Sequence, residues 1–175
     1  MRALFTVQAG EFLVGDYINR NFGNKVDVWI PAKDRGIDLL ITPKNFSKGG
    51  VGIQVKSSRP YPFHIPDGKL LSGGWYTIKV NDLKDGKTDF WIFVIMALKR
   101  EPYFIIVPTK ELYRRVHSIK KGKSAYLYLV VLQGNKCYDL RGLRQNEISS
   151  VVSNGIISSK RDYTKYLNVW RKIIT

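Results

Sequence analysis

The residues most able to do chemistry are Asp38, Gln54 and Lys56, three polar side chains within two largely apolar segments. Residues 51–57 alternate apolar and polar side chains and predict a strand. Gln54 and Lys56 are two apart on it, so their side chains share one face while the apolar ones point into a core. Asp38 lies on the preceding predicted strand, 37–42, and a hairpin would bring it beside Gln54. A carboxylate, an amide and an ammonium group would then converge at one edge of a sheet.

Hydrolysis of a phosphodiester bond uses such a set of side chains. Mg²⁺ prefers oxygen ligands and keeps several of its waters. Asp38 would supply a charged oxygen, and the Gln54 side chain and the main-chain carbonyl of Val55 would supply neutral ones. The metal would activate water and neutralise charge on the phosphate, and Mn²⁺ is expected to substitute for Mg²⁺. Lys56 would orient or polarise the attacking water, or stabilise the negative charge that develops.

The overall charge indicates an anionic partner. The 175 residues include 29 Lys and Arg against 14 Asp and Glu, a formal net charge of +15. Such an excess favours nucleic acid, through phosphate contacts and counterion release. DNA is the expected partner, RNA stays open, and an anionic membrane surface is the weaker alternative. A second copy of the chain is a further candidate partner, because cutting both strands of a duplex favours a homodimer.

Length and composition favour one domain spanning residues 1–175. Apolar residues make up 44% of the chain, enough to fill a core. No apolar run reaches the roughly 20 residues that a membrane span requires, and the N-terminus does not resemble a secretion signal. The single cysteine, Cys137, cannot form an internal disulfide and is expected to be a small strand residue. We therefore expect an intracellular protein, cytoplasmic and associated with the nucleoid.

The predicted elements follow the order helix, three-stranded meander, further strands and helix, which indicates an α/β or α+β domain with a mixed sheet. Residues 6–22 predict the first helix, with Thr6 as N-cap, and residues 25–30 predict the first strand of the meander. Residues 59–74 are rich in Pro and Gly and predict a long ordered loop. Later strands are predicted at 75–80, 90–97, 103–107, 126–132 and 137–140, the last two as a hairpin, and a helix is predicted at 110–116. Residues 145–153 leave open whether they form a short helix. Residues 161–174 predict an amphipathic helix with an apolar stripe made by Tyr163, Tyr166, Leu167, Trp170 and Ile174.

The segments RGIDLLI at 35–41 and GIQVKSS at 52–58 resemble the core of the PD-(D/E)XK nuclease superfamily. That family includes restriction endonucleases, Holliday junction resolvases, some homing endonucleases and repair nucleases. The resemblance covers roughly residues 6–108. It implies a restriction-endonuclease-like core, in which an N-terminal helix precedes a β-meander and a mixed central sheet is flanked by helices. Family members often carry a metal-binding Glu on the first helix, and Glu11 is the matching position here.

The resemblance implies a metal-dependent DNA endonuclease whose catalytic residues are Asp38, Gln54, Lys56 and Glu11. The expected Mg²⁺ ligands are Asp38, Gln54, Glu11 and the carbonyl of Val55. Gln54 stands where the family pattern has an acidic residue, which lowers the negative charge of the site. A non-catalytic nucleic-acid-binding module on the same fold is therefore the alternative, and a structural or partner-binding domain is a second one.

Basic and aromatic residues around the predicted strands are candidates for contacts with nucleic acid. Trp75 and Tyr76 could stack on bases or could fill the core, and the pair Arg114-Arg115 resembles a phosphate-contact patch or a solvated face. The candidate nucleic-acid contacts are Arg35, Arg59, His64, Lys99, Arg100, Lys120 and Lys121.

Overall fold

The computed structural model describes residues 9–32, 36–45, 49–58, 69–97, 101–119 and 122–174. A mixed five-stranded sheet contains β1 (Val26–Trp29), β2 (Leu39–Pro43), β3 (Val51–Ser58), β5 (Phe90–Ile95) and β6 (Tyr103–Pro108). The order of these strands in the sheet is β1-β2-β3-β5-β6. Neighbouring strands are antiparallel except for the parallel pair β3 and β5. The predicted meander and the mixed character of the sheet are both confirmed.

A second sheet of three antiparallel strands was not predicted. It contains β4 (Leu70–Lys79), β7 (Ser124–Leu132) and β8 (Lys136–Asp139), in the order β4-β7-β8. The predicted hairpin of β7 and β8 is confirmed. The predicted loop is wrong for residues 70–74, which belong to β4, while residues 59–68 lie outside the described residues. Glycine favours a loop in sequence, but a Cβ at Gly73 would lie 3.3 Å from the side chain of Val130, so here glycine allows close packing.

Helices cover the two sheets from different sides. They are α1 (Ala9–Phe22), α2 (Val80–Lys84), α3 (Thr109–Ile119), α4 (Gln145–Asn154) and α5 (Arg171–Ile174). α1 packs on one face of the five-stranded sheet, and the three-stranded sheet covers part of the other face together with α2 and α3. The expectation of helices on the central sheet is therefore confirmed for the α1 face. The other face is covered partly by α2 and α3 and partly by the second sheet. In the described part of the chain, no helix is long and apolar enough to cross a membrane.

The C-terminal segment departs from its prediction. Residues 161–174 were predicted as one amphipathic helix, but they form a 3-10 helix at Thr164–Tyr166 and the short α5. Between them Leu167 is extended and forms an isolated β-bridge with Ile105 of β6. The segment thus docks against the outer edge of the five-stranded sheet, which would otherwise present unpaired main-chain groups.

Asn168 holds this docking in place. Its N–H donates to the carbonyl of Phe104 at 2.7 Å, and its side-chain Oδ1 accepts a hydrogen bond from the Phe104 N–H at 2.9 Å. Its φ of 55° lies in the left-handed region, which Asn tolerates better than most residues. The apolar stripe predicted for the helix is nevertheless buried: Tyr166 lies in the core between the sheets and Trp170 in the core beneath α1. Pairing with a sheet edge therefore overrides the helical periodicity.

Replacing Asn168 with Ala is expected to lower the free energy of unfolding by about 2–4 kcal/mol. The variant leaves the Phe104 N–H without its partner and puts Ala at a positive φ. Asn135, exposed in the β7–β8 turn, has the same backbone conformation with φ of 56°. Asn135→Ala is therefore a matched control that should lose only the backbone contribution. Denaturant titration measures both losses, and equal losses would contradict the role of the Asn168 side chain.

Arg115 is a structural residue rather than part of a phosphate-contact patch. It is 2% exposed, donates to Glu111 at 2.7 Å, and lies 4.9 and 5.0 Å from the ring centroids of Tyr163 and Tyr166. A guanidinium buried in this way is held by its carboxylate and its aromatic neighbours. Arg114 stays exposed and also bonds Glu111. Its hydrogen bond is the main cause that lowers the pKa of Glu111 to about 2.

Candidate active site

Asp38 lies at the point where β2 separates from β3. Its main-chain N–H donates to the carbonyl of Ile53 at 2.8 Å, and the paired register begins one residue later, with Leu39 opposite Ile53. Beyond that point β2 has ended, while β3 continues to Ser58. The Asp38 carboxylate takes the place of a strand partner, because its Oδ2 accepts a hydrogen bond from the Val55 N–H at 2.7 Å.

The same oxygen of Asp38 accepts a hydrogen bond from the side-chain amide of Gln54. Asp38 and Gln54 are therefore in direct contact across the hairpin, as expected for residues on its two adjacent strands. Because Gln54 uses its amide nitrogen for this bond, its side-chain oxygen is oriented away from Asp38 Oδ2.

Gln54 and Lys56 extend from the same face of β3, whereas Ile53 and Val55 pack on the α1 side. In the parallel register Gln54 lies opposite Trp91 and Lys56 lies opposite Phe93. The Lys56 ammonium is 5.8 Å from the centroid of the Trp91 ring. Trp91 itself is 1% exposed, so it gives Lys56 a fixed aromatic neighbour. Sequence reasoning did not identify Trp91, because only strand pairing puts it beside β3.

The main chain of Val55 is directed to the same side as Asp38. Ile53 and Val55 both use their polar main-chain groups on the β2 side, as acceptor and donor to Asp38. The N–H and C=O of one strand residue point to the same side of the strand. The Val55 carbonyl is therefore directed to the region occupied by the Asp38 carboxylate. The Asp38 carboxylate and this main-chain carbonyl are hard oxygen donors, which suit Mg²⁺.

Glu11 lies on the other side of the sheet from the side chains of Gln54 and Lys56. Its neighbour Gly10 packs so closely on β3 that a Cβ would lie 2.6 Å from the Cβ of Ser57. Glu11 is 8% exposed and lines a groove of about 630 Å³ between α1 and β1, together with Asp27. The structure thus places Glu11 next to β3 but on its α1 side, and its role as a metal ligand stays a prediction.

Lys87 is a further cation near the site that sequence reasoning missed. The parallel pairing of β3 and β5 brings the segment before β5 to the start of β3, where Gly52 and Asp89 exchange two hydrogen bonds of 2.8 Å. The Cδ atom of the exposed Lys87 lies 3.6 Å from the position of a Cβ at Gly36. Gly36 is two residues before Asp38, so the Lys87 stem packs on the chain segment that leads to the carboxylate.

The residues expected to contact nucleic acid lie outside the part of the chain that the structure describes. They are Arg35, Arg59, His64, Lys99, Arg100, Lys120 and Lys121. Of the two aromatic candidates, Tyr76 is 2% exposed and donates its hydroxyl proton to the Val94 carbonyl at 2.9 Å, so it is a core residue. Trp75 is 44% exposed.

Among the described residues, no group of three or more His, Cys, Asp or Glu side chains could hold a metal ion. A metal at Asp38 would accordingly rely on the neutral oxygens of Gln54 and Val55 as well. Comparison of the chain with family models, with curated proteins and with solved structures finds no match.

Proposed function

We propose that this protein is a Mg²⁺-dependent nuclease that hydrolyses phosphodiester bonds in DNA, as its resemblance to the PD-(D/E)XK nucleases implies. The observation that carries the proposal is the position of the Asp38 carboxylate, which lies where β2 leaves β3 and bonds Gln54 and the Val55 N–H. Asp is uncommon among apolar strand residues. Beside the Gln54 side chain, the directed Val55 carbonyl and Lys56, this carboxylate can do chemistry as well as hold the end of the hairpin.

Three kinds of oxygen would hold the metal: the Asp38 carboxylate, the Gln54 side-chain oxygen and the Val55 carbonyl. Bound there, Mg²⁺ supplies the positive charge that activates water and neutralises the scissile phosphate. Asp38 is the charged member of this set, so it contributes most of the electrostatic attraction for a divalent cation. Glu11 is proposed as a fourth ligand on the basis of the resemblance alone.

Lys56 is proposed to orient the attacking water or to stabilise the negative charge that develops on the phosphate. Its side chain shares a face of β3 with Gln54, and the Trp91 ring lies 5.8 Å from its ammonium group. This neighbour restricts where the flexible lysine stem can place its charge. A restricted ammonium loses less conformational entropy when it meets the substrate.

The formal net charge of +15 supports a polyanionic substrate. Lysines and arginines that neutralise phosphates release condensed counterions, so affinity for DNA should fall steeply with salt. Lys87, whose stem packs beside Gly36, is proposed to contribute to this attraction.

Incubation with DNA and Mg²⁺ tests the proposal directly. Plasmid, single-stranded and four-way-junction DNA should be nicked or cut in the presence of Mg²⁺ or Mn²⁺ and left intact in EDTA, as measured by gel electrophoresis. A steep loss of DNA affinity between 50 and 200 mM salt should accompany cleavage. DNA that is bound but never nicked under any of these conditions would refute nuclease activity.

Gln54 favours one alternative, a nucleic-acid-binding module without catalysis. A neutral amide in place of a second carboxylate weakens the attraction for Mg²⁺, and Gln54 here donates its N–H to Asp38. The same incubation separates the two functions, because the binding module would retain salt-dependent affinity without Mg²⁺-dependent products.

A further inference from the structure

Two large aromatic side chains lie side by side on the outer face of the three-stranded sheet. Trp75 of β4 is 44% exposed and Tyr126 of β7 is 38% exposed. Their ring centroids are 6.2 Å apart with an interplanar angle of 35°. We call Trp75 and Tyr126 together the aromatic platform. Contiguous exposed aromatic surface is one mark of a contact site.

Strand alternation explains why these two rings face outward. Their chain neighbours Tyr76 and Leu127 point inward and are buried between the two sheets. On the outer face α4 packs over residues such as Val130. In the described part of the chain, α4 thus covers one end of this face, and the aromatic platform occupies the other.

The platform is held rigidly. Tyr128, which is paired with Trp75 in the β4–β7 register, is buried and its ring centroid lies 5.6 Å from that of Trp75. The Arg141 guanidinium donates to the main-chain carbonyl of Tyr126. A rigid aromatic surface binds a flat partner at a low cost in conformational entropy.

The chemistry around the platform suits a nucleotide. Lys79 is exposed on the same face of β4, four residues from Trp75, and the Arg141 side chain is anchored beside Tyr126. Cations next to exposed aromatic rings can contact phosphates while bases stack on the rings. The net charge of +15 favours the same kind of partner.

The strand that carries Trp75 also contacts the end of β3, the strand of Gln54 and Lys56. The Trp75 N–H donates to Ser58 Oγ at 3.0 Å, at the end of β3. Ser58 follows Lys56 by two residues, which is roughly 7 Å along a strand. Trp75 faces the outer side of the three-stranded sheet and β4 is an edge strand of that sheet, so a nucleic acid strand at Lys56 would pass the β4 edge to reach Trp75.

We propose that Trp75 and Tyr126 stack against unpaired bases, so that the substrate is nucleic acid with a single-stranded segment next to the cleaved bond. This inference rests on the proposed nuclease function. Bases inside a duplex stack on each other and present only their edges to a protein, whereas unpaired bases present the flat π faces that aromatic side chains recognise. Single strands, flaps and branched junctions are the substrate classes that fit.

Fluorescence anisotropy in EDTA tests the inference, because binding is then measured without Mg²⁺-dependent cleavage. The probes are a labelled single strand and the blunt-ended duplex of the same length. Trp75→Ala should weaken binding of the single strand by about 5- to 100-fold, as expected for loss of one stacked base. Binding of the duplex should change less than about twofold. Trp75→Phe keeps a ring and should recover most of the affinity.

Trp29 provides a matched control. It is 52% exposed but lies on β1, the edge strand of the other sheet. Trp29→Ala should leave affinity for both probes unchanged, and circular dichroism should show that all variants are folded. The inference is overturned if Trp75→Ala binds the single strand like the wild type, or if Trp29→Ala causes the same loss.

Failure of the inference is distinguishable from failure of the proposed function. Wild-type protein that cuts DNA, together with a Trp75→Ala variant of unchanged single-strand affinity, would refute only the aromatic platform. Wild-type protein that binds the single strand through Trp75 but never cuts DNA would refute only the nuclease. Wild-type protein that binds neither probe would overturn both.

Discussion

Replacing Asp38 with Asn is expected to lower Mg²⁺-dependent cleavage about a thousandfold or more, with DNA binding retained. Asn removes the one charged ligand of the proposed metal set, and a metal contributes several kcal/mol of charge stabilisation in such reactions. The Asn oxygen can still accept the hydrogen bonds that Asp38 Oδ2 receives from Gln54 and Val55. The fold is therefore expected to survive, with a change in unfolding free energy below about 1 kcal/mol.

Asp38→Ala should abolish cleavage as well, but it combines two effects. It leaves the Val55 N–H and the Gln54 amide without their acceptor, which costs about 1–3 kcal/mol of stability. A comparison of the Asn and Ala variants separates loss of the charge from loss of the hydrogen bonds. Similar cleavage rates in the two variants would assign the defect to the charge.

Initial rates of plasmid nicking in Mg²⁺, and anisotropy with labelled DNA in EDTA, are the measurements for Asp38. The control is Asp82→Asn, which removes an exposed carboxylate of α2. The control should cleave at the wild-type rate. Wild-type cleavage by Asp38→Asn would rule out the proposed metal set.

Replacing Lys56 with Met is expected to lower cleavage by about 10²- to 10⁴-fold, the contribution typical of a positioned proton-transfer or charge-stabilising group. Met preserves most of the apolar stem that packs near Trp91, so the loss reports the ammonium group. Single-turnover rates at saturating protein separate this chemical defect from weaker binding.

Lys56→Arg distinguishes the two roles proposed for the ammonium. Arginine keeps the positive charge but does not deprotonate in proteins. If Lys56→Arg cleaves within about tenfold of the wild-type rate, Lys56 stabilises charge. If its cleavage rate falls as far as that of Lys56→Met, Lys56 takes part in proton transfer from the attacking water. Lys44→Met, a change at an exposed lysine after β2, is the control. A Lys56→Met variant as active as this control would exclude Lys56 from catalysis.

Local patterns predicted most of the elements that form the core. The alternation in residues 51–57 placed Gln54 and Lys56 on one face of a strand, and the structure has that arrangement in β3. Local patterns also predicted α1, α3 and the β7–β8 hairpin, since each depends on contacts between residues close in the chain. The contact between Asp38 and Gln54 was predictable because a hairpin connects their strands.

Elements that depend on distant partners were not predictable. The helix predicted at 161–174 was replaced by docking of Leu167 and Asn168 on β6, because hydrogen bonds to a sheet edge outweigh helical periodicity in a short segment. The glycines of β4 favoured a loop prediction, because β7, against which Gly73 packs, is distant in the sequence. Trp91 and Lys87 approach the site only through the parallel pairing of β3 with β5, which joins residues far apart in sequence.

The sequence by itself determined the chemical groups of the site and the hairpin that joins them. Spacing of two along one strand, and a turn between two strands, are local properties that side-chain alternation encodes. Only the tertiary structure decided that α1, and Glu11 with it, packs on the face of the sheet opposite to the side chains of Gln54 and Lys56. It also decided that Trp91 lies beside Lys56. It alone decided that Trp75 is exposed while Tyr76 is buried. Which face of a strand is covered depends on elements that pack there from elsewhere in the chain, and a single strand does not encode their position.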